Sequence, residues 1–186
     1  MSNGVSHPVF RTSDPAAALA TARRLLALGE REYAQVSVDV ELRSVAGVLR
    51  LRRAVPDVWF STDDAELHAS ELTEDAAGLA PLLPLWASML DRPVGSVEDA
   101  FTAAVGSDYG SVRWHQVIWP EVPELGYGGR VEHDGVTVVF NCDAEGADRR
   151  AGAHTVCVDV QRTGAAARYA QWLAGRVGLA VVGPPA

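Results

Sequence analysis

The stretch Gln35-Val36-Ser37-Val38-Asp39-Val40-Glu41-Leu42 alternates between polar and apolar residues without a break. Successive side chains on a strand point to opposite faces. Val36, Val38, Val40 and Leu42 therefore share one face, and Gln35, Ser37, Asp39 and Glu41 share the other. A strand buried on both sides reads as a continuous apolar run, whereas clean alternation belongs to an antiparallel sheet with one packed and one solvated face. Something apolar must cover the valine face.

One covering element lies just upstream. Pro15 to about Leu28 reads as a helix, with Asp14 as its cap, Pro15 at the first helical position and Gly29 at its end. Leu19, Ala22, Leu25 and Leu26 form its apolar stripe. Downstream, Ser44 to Gly47 is expected to turn the chain into a hairpin partner, Val48 to Arg53. Leu49 and Leu51 then face inward, while Arg50 and Arg52 oppose the acidic face of the first strand. Val58 to Ser61 is a third short strand. Glu66 to Leu72 is assigned as a strand, although Ala65, Ala69 and Leu72 also suit a helix.

A helix is expected from Pro81 or Pro84 to Leu90, stopped by Pro93. A second opens at Ser96, with Asp99 completing a capping-box-like pair and Gly106 ending it. Strands resume at Ser111 to Trp119, followed by a Pro- and Gly-rich loop, with residues 120–129 a candidate lobe junction. Arg130 to His133, Asp134-Gly135 and Val136 to Cys142 read as a hairpin, because Asp-Gly favours the type I′ turn. Val131, His133, Val136, Val138, Phe140 and Cys142 would then share a face. A strand from His154 to Gln161, a helix from Gly164 to Val177 between Thr163 and Gly178, and a short strand from Leu179 to Val182 complete the chain. A helix between two strands also permits a right-handed parallel crossover. Residues 1–186 are thus expected to form a single α+β domain, with a mainly antiparallel or mixed sheet and about four helices packed on it.

Composition narrows the chemistry. The 186 residues carry 24 acidic and 16 basic side chains, a formal net charge of −8, and every basic residue is arginine. The absence of lysine removes Schiff-base catalysis, pyridoxal-phosphate attachment and the lysine of a phosphate-binding P-loop. Arginine serves on solvated surfaces as lysine does, so its exclusive use reads as the codon bias of a GC-rich bacterial genome. The acidic balance argues against a nucleic-acid surface and is compatible with a basic protein partner. Cys142 and Cys157 are too few for a disulfide framework, which suggests a reducing cytoplasm. Met1 to Asp14 lacks the pattern of a secretory signal. Leu79 to Leu90 is 12 residues long and interrupted by Pro81 and Pro84, too short and broken to span a membrane.

Among local patterns, Cys142, His154 and Asp143 lie at facing ends of two strands and form a candidate nucleophile, base and orienting carboxylate; the competing reading of Cys142 is a small core residue. Asp143, Glu145 and Asp148 share a loop but do not match the order of a calcium loop, and Arg149 and Arg150 adjoin them. Gly126-Tyr127-Gly128-Gly129 opens no helix and reads as a flexible loop. The histidines, His7, His68, His115, His133 and His154, show no metal-ligand spacing. No metal or cofactor is expected.

Trp114-His115-Gln116-Val117-Ile118-Trp119 places tryptophan on both faces of one strand. Such a strand is either covered on both sides or part of a recessed recognition surface. In the second case Trp59, Asp63, Asp64, Trp114, His115, Trp119, Tyr127 and Asp143 form an aromatic and acidic binding patch. These features favour a non-catalytic binding or inhibitory protein, in concrete form an immunity-type protein that neutralises a basic toxin. The alternative is a small enzyme or ligand-binding fold with a His and carboxylate site around Trp114, His115, His133 and Asp143, or at Cys142 and His154.

Overall fold

The computed structural model describes residues 4–62, 65–73, 75–127, 134–143 and 150–185. One eight-stranded antiparallel sheet runs through it, in the order β1-β8-β7-β6-β2-β5-β3-β4. The strands are β1 (Gly4–Thr12), β2 (Gln35–Leu42), β3 (Trp59–Ser61), β4 (Glu66–His68), β5 (Leu85–Pro93), β6 (Tyr109–His115), β7 (Gly135–Phe140) and β8 (His154–Gln161). Five helices join them: α1 (Pro15–Leu26), α2 (Val45–Ala54), α3 (Ala76–Leu79), α4 (Glu98–Val105) and α5 (Ala166–Arg176). The α+β class stands, with one helix more than expected. Every strand pairing among the described residues is antiparallel, so the parallel crossover is not used there.

The elements with the cleanest signals fall where the sequence places them. β2 and β8 match their alternating runs. Asp14 caps α1 by accepting the Ala16 N–H at 2.9 Å. α4 ends at Gly106, whose φ of 57° suits glycine. Its entry differs from a capping box, because the buried Glu98 carboxylate accepts the N–H groups of Gly95 and Val97. α5 starts at Ala166, after Thr163 has accepted the Ala165 N–H. β1 was not anticipated; it lies antiparallel against β8 at one edge of the sheet.

Several segments fold differently from expectation. Val48 to Arg53 is no hairpin partner but part of α2, with Ser44 capping the Gly47 N–H at 3.1 Å. Val48 and Leu51, three apart, face the core, and Arg50 pairs with Asp108 at 3.1 Å rather than with the β2 carboxylates. The expected helix ending at Leu90 is instead β5, held between β2 and β3, with Leu85, Ala87 and Met89 buried and Trp86 exposed. The strand from Ser111 stops at His115, because Gln116 has a φ of 60°. Only Glu66–His68 of the 66–72 stretch is strand, and residues 179–182 form none.

Asp134-Gly135 is not a hairpin turn. Gly135 is part of β7, which pairs with β6 on one side and β8 on the other, so neither edge is free for a hairpin partner there. Arg130 to His133 lie outside the described residues. The glycine serves close approach: a Cβ at Gly135 would stand 1.9 Å from the Trp114 carbonyl oxygen.

Helices α1, α2, α4 and α5 lie on one face of the sheet. Phe101 of α4 meets Phe140 of β7 with ring centroids 6.2 Å apart. Tyr169 of α5 stacks on Tyr127, whose hydroxyl bonds Asp134 on the Val136 side of β7. α1 packs across β7 and β8, and α2 packs on α4. Val36, Val38 and Val40 of β2 and Val156, Val158 and Val160 of β8 are buried beneath this layer. None of these four helices packs on the other face. Register places on it Ser6, Asp159, Thr137, Arg113, Ser111, Asp39, Ser88 and Trp59, running from β1 towards β4.

Candidate functional site

The open face divides into a closed polar end and an open aromatic end. At the β1–β8–β7 end, Thr155, Cys157 and Asp159 are buried, and Arg11 crosses beside them to donate to the Asp143 carbonyl. Asp159 accepts from the Ser6 hydroxyl and, at 2.6 Å, from Thr137 Oγ1. Further along, Ser111 donates to Asp39 at 2.6 Å. Burial raises the pKa of both carboxyls, and the hydroxyl bonds and the nearby Arg113 guanidinium oppose the rise. Burial also pushes the Cys157 thiol up, so it is no thiolate nucleophile. Glu41 is held by Arg43 and Arg150, and Arg150 lies over the Tyr109 ring. These polar groups are spent largely on one another, an arrangement that ties strands together.

His115, Ser37 and Asp91 meet at the junction of β6, β2 and β5. Ser37 Oγ lies 3.3 Å and Asp91 Oδ1 3.2 Å from the same imidazole nitrogen, Nε2. A serine-histidine-aspartate relay needs the carboxylate on one ring nitrogen and the hydroxyl on the other. With both on Nε2, the group cannot carry a proton from hydroxyl to carboxylate, and it reads as a clasp on the β5 bulge. Asp91 completes it by donating its N–H to Ser37 Oγ.

Cys142 and His154 do come to adjacent strand ends, where the Cys142 N–H reaches the Ala153 carbonyl. The imidazole is committed, however. Its Nδ1 accepts the Asn141 N–H at 3.1 Å, a further hydrogen bond ties it to the Ser13 backbone, and burial lowers its pKa. A neutral ring held by two backbone groups is a structural histidine. Asp143 is half-buried, and its backbone carbonyl accepts from Arg11.

The aromatic patch is split by the fold. Trp114 and Trp119 are each 1% exposed and belong to the core. Trp114 Nε1 donates to Glu98 at 2.9 Å, and Trp119 Nε1 donates to the Asp159 carbonyl at 3.2 Å. The left-handed turn at Gln116 lets both side chains reach the interior, which strict alternation would forbid. Tyr127 is buried, bonded to Asp134. Asp63, Asp64, His133, Glu145 and Asp148 lie outside the described residues. Among the described residues no three His, Cys, Asp or Glu side chains are grouped to hold a metal ion, and no helix is long and apolar enough to cross a membrane.

Trp59 keeps its place at the surface, 52% exposed, and it has neighbours that the sequence hid. Because residues 85–93 are a strand, Trp86, Ser88 and Leu90 line up on the open face. Trp59 pairs with Ser88, and Ser61 with Trp86. Trp86 is 37% and Leu90 66% exposed. Between β3 and β5 lies a groove of about 330 Å³ lined by Asp57, Trp59, Ser61, Glu66, Leu90 and Arg92, among others. His68 of β4 contacts Trp59 edge to face at 5.0 Å. Comparison of the chain with protein-family models, with curated proteins and with solved structures gives no match.

Proposed function

We propose that this is a non-catalytic binding protein that recognises a basic protein partner through the open face of its sheet at the β5–β3 end. The observation that carries the reading is the cluster of exposed Trp59, Trp86 and Leu90 at one end of a face that is otherwise mostly polar. Large exposed aromatic side chains are costly to leave in water and are enriched where partners bind. The formal charge of −8 supports a basic partner, whose approach it accelerates. The commitment of His154 and His115 to structural bonds weighs against the enzymatic alternative. In its narrowest form the partner is a basic toxin held inactive by this protein.

The test is capture from the native host by wild-type protein and by a Trp59→Ala/Trp86→Ala double variant. Loss of two central aromatic anchors is expected to weaken a captured complex by about thirtyfold or more. His115→Ala and Cys142→Ser should leave it intact. A complex that survives the double substitution, or one abolished by Cys142→Ser in folded protein, overturns the reading.

A further inference from the structure

The net charge is not spread over the molecule. Between Arg53 and Arg92 the sequence holds eight carboxylates, from Asp57 to Asp91, and no arginine; outside that stretch sixteen acids match sixteen arginines. The whole formal charge of −8 therefore resides in one segment. That segment supplies β3, β4, α3 and most of β5, and the three strands stand together at the β4 edge of the sheet. The same edge carries the exposed Trp59, Trp86 and Leu90 and the groove between them.

We infer that this groove is the docking site for a lysine or arginine side chain carried by a basic segment of a partner protein. Trp59 lines the groove with its indole half exposed, and an indole face attracts a cation more strongly than any other side-chain ring. Asp57 and Glu66 line it as well, and neither has an ion-pair partner among the described residues. Register sets Leu90 and Arg92 beyond Trp59 on the Asp57 side, while Glu66 opposes Ser61 at the other end. Arg92 thus offsets Asp57, and the Glu66 end is left with a carboxylate and an indole. Leu90 offers apolar surface to the methylene stem of a long basic residue. An anionic or nucleic-acid ligand would meet a net negative charge in this segment of the chain.

The inference rests on the binding-protein reading and deepens it, and its test separates the two. Hexa-arginine, hexalysine and hexaglutamate peptides are titrated into the full chain with tryptophan fluorescence as readout. The two basic peptides should bind and hexaglutamate should not. Trp59→Ala, and separately Asp57→Asn with Glu66→Gln, should each weaken the basic peptides about tenfold, with Trp59→Phe intermediate. Glu121→Gln with Glu124→Gln removes the same charge from the exposed loop between β6 and β7 and should change affinity less than about twofold. Equal weakening by both double variants reduces the effect to net charge and overturns the inference. Failure of wild type to bind either basic peptide, while host capture still depends on Trp59 and Trp86, overturns the cation site and leaves the binding reading standing. Failure of that capture as well removes both.

Discussion

Asp134 has no exposed surface, yet it carries a carboxyl. Its Oδ1 accepts the Tyr127 hydroxyl at 2.7 Å and the Gln161 N–H at 2.9 Å, while Oδ2 is buried with no hydrogen-bond partner among the described residues. Burial, partly opposed by those two bonds, raises its pKa from 3.8 to about 6. The native state therefore holds the proton more tightly than the unfolded chain. Its stabilising contribution is complete below about pH 4, falls as pH rises, and is gone above about pH 6, a loss of about 3 kcal/mol. Asp134→Asn cannot titrate and keeps an acceptor for Tyr127 and Gln161. Urea unfolding at pH 4.5 and pH 7 should show the wild type losing roughly 2 kcal/mol more than the variant across that interval. Parallel pH profiles for the two proteins would show that the carboxyl is ionised in the native state throughout. The same contacts explain why this residue resisted sequence reading. Asp-Gly is a strong turn signal locally, and only the strands on both sides of Gly135 reveal a different use.

At the scale of elements, legibility followed whether local pattern and tertiary environment agreed. β2 and β8 alternate and lie within the sheet, and α1 has both a cap and a stripe, so all three were readable. Val48-Leu49-Arg50-Leu51-Arg52 satisfies period two as well as a helix, and the decision rests on Ser44 and on packing against α4. Residues 85–90 are rich in helix formers, yet pairing with β2 and β3 overrides that preference. Misreading β5 hid Trp86 and Leu90, and hence most of the candidate face. Trp59 was singled out for its nearness in sequence to Asp63 and Asp64, whereas its exposure is a consequence of its place on β3. The β6–β7 pairing offers a direct test of the element-scale account. Gly135→Ala places a methyl group against the Trp114 carbonyl, and backbone on both sides cannot yield without loss of register. Destabilisation of about 3 kcal/mol is expected in chemical denaturation, comparable to severe overpacking of a core. A cost under about 0.5 kcal/mol would mean that the two strands do not approach as described.

Across the whole molecule, packing and charge are graded in opposite directions. β8 pairs along its length with β1 and β7 and lies beneath two helices, whereas β4 pairs over three residues with β3 alone. The weakly paired end is also where the chain concentrates its negative charge, so like-charge repulsion acts where there is least structure to resist it. Opening should therefore begin at β3–β4, and screening of the repulsion should suppress it. The range of electrostatic interaction falls from about 30 Å at 0.01 M salt to about 3 Å at 1 M. Amide hydrogen exchange should be fastest at residues 59–61 and 66–68 and should slow there when sodium chloride is raised across that range. The amides of β7 and β8 should exchange only with global unfolding and respond far less. If salt instead slows exchange evenly across all eight strands, the repulsion is a property of the whole chain rather than of its β4 edge.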